Sequence, residues 1–127
     1  MPEPIVGTVS ITPMELTTVP PAANILFVGC TFNVNLFGVA DANTGNTVNN
    51  GTCAFTISGV GFGGSMPLIP NSNGNYQGVV TASQAASLVP GTTYTVSVSF
   101  AAPAIGSGPS YQDLRVISAL AQFRTQN

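Results

Sequence analysis

The chain has no lysine, no histidine and no tryptophan, and among its 127 residues only two arginines and four acids carry charge. Each absence removes a class of function. Nucleic-acid binding rests on several cations neutralising phosphates, which Arg115 and Arg124 at a net charge of −2 do not supply. The same deficit excludes a polybasic membrane contact. Serine is abundant, but without His or Lys nothing stands ready to activate it as a nucleophile. The only carboxylates are Glu3, Glu15, Asp41 and Asp113. None falls in a strand centre, where a pair of the kind that cleaves glycosides would be held about 5–10 Å apart. The expectation is a protein that is not an enzyme, with no catalytic, metal or cofactor residues.

Long apolar runs are missing too. The longest, Ile25-Leu-Phe-Val28, is strand-sized, far short of the ~20 residues of a membrane helix. Met1-Pro-Glu-Pro4 offers neither a positive n-region nor an apolar h-region, so no secretory signal is expected in this chain. Either a signal has been removed, or the protein leaves its cell another way, such as assembly into a virus particle.

What is present is apolar. Hydrophobic residues make up 44% of the chain and charged ones 5%, against roughly a quarter charged in an ordinary domain. That is too hydrophobic for disorder. A surface so short of charge lacks what keeps protein surfaces apart. Part of it is therefore expected to be covered, by a protein partner or by further copies of the chain. The alternative is a monomer kept in solution by Asn, Thr, Ser and Gln.

Ten prolines and fourteen glycines spread along the chain fit many short elements joined by turns. Residues 1–4 read as an extended arm and 5–127 as one domain. The clearest stretch is Leu88 to Phe100. A turn at Pro90-Gly91 releases a run with Tyr94, Val96, Val98 and Phe100 on one face and Thr93, Thr95, Ser97 and Ser99 on the other, a half-buried antiparallel strand. Residues 5–11 form a first strand ended by Pro13, and 17–23 a linker between sheets. A long strand is expected over 25–39, with Val28, Cys30, Phe32, Val34 and Leu36 inward. Residues 41–46 make a polar turn, and 52–58 a strand with Cys53, Phe55 and Ile57 inward. A short edge strand over 65–69 is limited by Pro67 and Pro70. Asn73-Gly74 is expected to form a tight hairpin turn into a strand over 76–81. Residues 82–87 suit one helical turn or a loop. The last strand, 114–123, has no clear inward face, because Ile117, Ala119, Ala121 and Phe123 compete with Leu114, Val116 and Leu120. About seven strands and no amphipathic helix predict an all-β Greek-key β-sandwich.

Leu88-x-x-Gly91-x-x-Tyr94 followed by Thr-Val-Ser-Val resembles the tyrosine corner of immunoglobulin-like and fibronectin-type domains. Asp41-Ala-Asn-Thr-Gly-Asn-Thr-Val48 with Cys53-Ala-Phe-Thr-Ile57 is similar to the corresponding region of bacterial and phage modules of that kind, as is Asn73-Gly-Asn-Tyr76 with Gly78. The resemblance implies an Ig-like sandwich in which the Tyr94 hydroxyl bonds to the backbone just upstream. It departs from antibody domains in having no core Trp and a different Cys spacing. It also implies a role as a spacer in surface adhesins or a decoration on capsids and tails. A free-standing capsid decoration or cement subunit at the virion surface suits the chain best, with capsid subunits or its own copies as partners. A cell-surface adhesin or carbohydrate-binding module is the alternative, for which only Tyr111 and Phe62 offer aromatic platforms.

Five further features admit a bland reading. Strand rise of ~3.3 Å per residue sets Cys30 and Cys53 about 15–20 Å apart in height, whereas a disulfide needs Cα atoms within about 7 Å; two buried thiols are favoured over a bridge. Gly59-x-Gly61-x-x-Gly64 matches the dinucleotide fingerprint, but Ser65-Met-Pro-Leu-Ile-Pro70 does not form the required helix, so a flexible loop is expected. Asp41-x-Asn43-x-Gly45 lacks the further acids of a calcium loop. Asp113 and Arg115 share a strand face as a weak exposed pair, and the formal sequon Asn50-Gly51-Thr52 reads as an Asn-Gly turn.

Overall fold

The computed structural model describes residues 5–13, 25–41, 45–103 and 114–126. Eight strands among them form two sheets: β1 (Ile5–Pro13), β2 (Ile25–Leu26), β3 (Phe32–Asp41), β4 (Thr52–Ile57), β5 (Phe62–Ser65), β6 (Tyr76–Val80), β7 (Thr93–Pro103) and β8 (Leu114–Thr125). One sheet has the order β1-β3-β6, the other β2-β8-β7-β4-β5. Every pairing is antiparallel except β2 with β8, which is parallel. The chain is an all-β sandwich.

The core lies between the sheets. Val34, Leu36, Tyr76 and Val80 of the smaller sheet and Cys53, Phe55, Val96, Val98 and Phe100 of the larger are all buried. Aromatic pairs join the layers: Tyr76 meets Phe100 edge-on with ring centroids 5.1 Å apart, and Phe32 meets Phe123 at 5.1 Å. Gly78 is what lets the layers close. A Cβ there would lie 2.6 Å from Phe55 Cε1 and 2.8 Å from Met66 Cγ.

The β7 alternation is as expected, with Tyr94, Val96, Val98 and Phe100 inward. Its turn carries the expected bond: Val89 N–H donates to Tyr94 Oη at 2.9 Å. β4 buries Cys53, Phe55 and Ile57. β8 resolves its ambiguous pattern with Phe123 buried, Ala119 and Ala121 half-buried, and Ser118, Leu120 and Gln122 outward. Residues 82–85 take the helical option as α1 (Ala82–Ala85), closed by a capping box in which Thr81 Oγ1 accepts from Gln84 N–H and Gln84 Oε1 from Thr81 N–H.

Four expectations are corrected. The long strand over 25–39 is two strands in different sheets, separated at Gly29, whose φ of +89° turns the chain. Val28 and Cys30 sit in that turn region and are only half-buried. Second, β3 carries a bulge against β1: Val6 pairs with Ala40 but Thr8 with Phe37. The extra residue falls at Gly38 (φ +65°), so Phe37 and Gly38 are both exposed and Val39 returns to the core. Third, the edge strand lies at 62–65, inside the glycine-rich run read as a flexible loop. Gly63 pairs with Thr56 and leaves no room for a Cβ, which would strike the Phe55 carbonyl. Residues 65–69 instead cross between sheets: Met66 N–H donates to Cys53 O at 2.8 Å and Gln77 N–H to Pro67 O at 3.1 Å. Fourth, the turn at 71–75 is wider than a two-residue hairpin, and positive φ falls on Asn71 and Gly74, not on Asn73.

Candidate interaction surface

The outward side chains at the middle of the five-stranded sheet are mostly small and neutral. Register aligns Ala54 with Ser99, Thr56 with Ser97, Ser99 with Ser118, Ser97 with Leu120 and Thr95 with Gln122. These residues lie outward because their strand neighbours Phe55, Val98 and Phe100 must face the core. Small side chains leave a hollow of about 200 Å³ lined by Ala54, Thr56, Ser97, Ser99, Ser118 and Leu120. Leu120, 69% exposed, stands at its lip as the most exposed large apolar side chain described. Among the residues of this face whose side chains are described, the one charge is Arg124, beyond Gln122 at one end of β8. Hydroxyls and methyls set this way offer hydrogen bonds and close approach. The opposite sheet combines the exposed Phe37 and Val79 with a tied polar ladder: Gln77 Nε2 donates to Asn35 Oδ1 at 3.0 Å, and Asn35 Nδ2 to Thr12 Oγ1 at 3.1 Å.

One pole of the sandwich is built from side chain to backbone bonds that no periodicity signals. Tyr76 Oη donates to Val48 O at 2.8 Å and accepts Gly51 N–H at 3.2 Å. Gly74 N–H donates to Asn49 Oδ1 at 2.7 Å, and Gly38 N–H to Asn75 Oδ1 at 2.9 Å. Burial lifts the Tyr76 phenol above its ordinary pKa. The only trace in the sequence is the concentration of asparagine over 46–50 and 71–75.

The residues weighed for chemistry are dispersed. Asp41 is fully buried at the end of β3, where its carbonyl accepts Gly45 N–H at 2.8 Å and its N–H donates to Asn46 O at 2.9 Å; that is turn geometry. Asn43, Glu3, Glu15, Tyr111 and Asp113 lie outside the described residues, and Arg115 is placed only as a β8 position opposite Ala102. Gly59 and Gly61 turn the β4–β5 hairpin with φ of +81° and +70°, and Gly64 belongs to β5 where the fingerprint requires a helix. Phe62 is half-buried against the core, so it is no open platform. Asn50 is exposed at a bend. Among the described residues no three His, Cys, Asp or Glu side chains gather to hold a metal.

Cys30 and Cys53 take part in no disulfide. Cys53 is buried, its Sγ 3.7 Å from Met66 Sδ, and burial pushes the thiol up to about 11, against a partial offset from the Ala54 backbone. The unfolded chain releases this proton near 9.0, so the native state holds one more proton between the two values. Stability is then intact below pH 9 and falls as pH rises towards 11, by at most about 2–3 kcal/mol. Urea midpoints across this range should show that loss, and Cys53→Ala should remove its first part; Tyr76 extends it above pH 10. A thiol reagent should label half-buried Cys30 in the native protein and reach Cys53 only on unfolding.

Comparison of the chain with protein-family models, with curated proteins and with solved structures finds no match.

Proposed function

We propose that the chain is a non-catalytic assembly protein with an immunoglobulin-like sandwich, docking through the outer face of its five-stranded sheet. The role that fits is a decoration or cement subunit on a phage capsid or another virion surface, contacting capsid subunits and its own copies. The observation that carries this reading is the neutral face of Ser, Thr and Ala around a hollow with Leu120 at its lip. Two sheets pack ~10 Å apart with ordinary side chains, and a face of small residues admits a partner more closely. Neutrality also lets like copies meet without repulsion. The Ig-like assignment is supported by β1 and β2 lying on opposite sheets, β2 running parallel to β8, and the Tyr94 bond at the turn into β7.

Light scattering after size exclusion tests the reading. The wild type should show a concentration-dependent mass above 12.9 kDa, little changed by salt because the contact holds almost no charge. Leu120→Asp should weaken association at least tenfold, since burying a leucine is worth about 1.5–3 kcal/mol, while leaving the circular dichroism unchanged. A wild type that stays monomeric at every concentration and salt would overturn it.

A further inference from the structure

The two Asn–Gly pairs of the described chain, Asn50–Gly51 and Asn73–Gly74, sit in adjoining loops at the asparagine-rich pole, tied by the bond from Gly74 N–H to Asn49 Oδ1. Asparagine before glycine is prone to spontaneous loss of its side-chain amide. The glycine backbone nitrogen gives up its proton and attacks the asparagine Cγ. Ammonia leaves, and water opens the resulting succinimide to aspartate or isoaspartate. Glycine favours the step because it has no Cβ to hinder the approach and the most mobile backbone. The reaction requires the glycine nitrogen to be free to turn and to shed its proton.

The fold treats the two nitrogens unequally. Gly74 is buried, and its N–H is held by Asn49 Oδ1 at 2.7 Å. Its carbonyl accepts Val39 N–H at 2.9 Å, so the residue is held on both sides. Gly51 is only half-buried. Its N–H reaches Tyr76 Oη at 3.2 Å, the far end of the usual range for such bonds. Both asparagine side chains are exposed, so the difference lies in the attacking nitrogens.

We propose that Asn50 is the site of spontaneous deamidation in the folded protein and that Asn49 protects Asn73. The product exchanges a neutral amide for a carboxylate, taking the formal charge from −2 to −3, just ahead of β4. The change is large for a chain with six charged side chains (2 + 4).

Peptide mapping by mass spectrometry after incubation in mildly alkaline buffer tests this. In the native protein Asn50 should convert about tenfold faster than Asn73, the factor that the further bond from Val39 N–H to Gly74 O is worth beside the shorter bond of the Gly74 nitrogen. Short peptides spanning each pair should convert at similar rates. Asn49→Ala should raise the Asn73 rate about tenfold and leave Asn50 unchanged, while Asn49→Asp, which keeps the acceptor oxygen, should restore protection. Asn73 keeping pace with Asn50 in the wild type would overturn the proposal. So would an Asn49→Ala variant in which Asn73 is unaffected or both sites accelerate together, the mark of general loosening.

Discussion

Phe100→Ala is expected to lower the unfolding free energy by about 3–5 kcal/mol, the range for deleting a fully buried aromatic ring. Phe100 is 1% exposed at the centre of the larger sheet, paired with Cys53 on β4. Its ring supports Tyr76 edge-on across the core, and Gly51 lies so close that a Cβ there would strike the ring. The truncation therefore leaves a cavity and also frees the tyrosine that holds Val48 and Gly51. Urea denaturation should give the loss as a lower midpoint at unchanged slope. Tyr76→Phe separates the two effects: it keeps the ring and removes only the hydroxyl, at about 1–3 kcal/mol for leaving its backbone partners unsatisfied. A Phe100→Ala loss no larger than that of Tyr76→Phe would mean the ring packs less tightly than described.

Gly74→Ala should cost about 2–4 kcal/mol, measured in the same way. Two penalties add. At φ +69° a side chain is strained by roughly 1 kcal/mol or more. The new Cβ would also press on the Val39 carbonyl and lie 3.0 Å from its nitrogen. Those are backbone atoms, so the neighbour has no rotamer into which to retreat. Relief requires breaking the bonds from Val39 N–H to Gly74 O and from Val48 N–H to Val39 O, each 2.9 Å. Gly45→Ala is the informative contrast: φ is +75° there, but nothing lies within 4 Å of the added carbon, so only the conformational penalty should remain. Equal losses at the two sites would show that the pole yields to the new methyl.

The strands β7 and β4 were legible in the sequence because each lies between two partners with one face buried, the condition under which period two is strict. The expected strand over 25–39 shows how the same signal misleads. Leu26 and Phe32 are both buried and six residues apart (32 − 26), so the parity survives the Gly29 turn and hides it. At Gly38 the opposite happens: Leu36 and Val39 are both buried at odd spacing, because the bulge at Gly38 shifts the alternation by one residue. The last strand was ambiguous because its inward positions include Ala119 and Ala121, too small to outweigh Leu120 on hydrophobicity alone. That same ambiguity concealed the neutral face, which exists because Leu120 points outward. The pole was unreadable for a different reason. Its bonds join residues 25 to 37 positions apart, and asparagines in loops predict turns without saying which amide they will hold.

Residues 65–69 are bonded on one side to β4 and on the other to β6, which stitches the two layers along a lateral seam. A slip of one layer past the other would have to rupture this stitch first. Pro67, with no N–H to give to a ladder, keeps the crossing short, and the seam closes the flank of the sandwich beside β4 and β6.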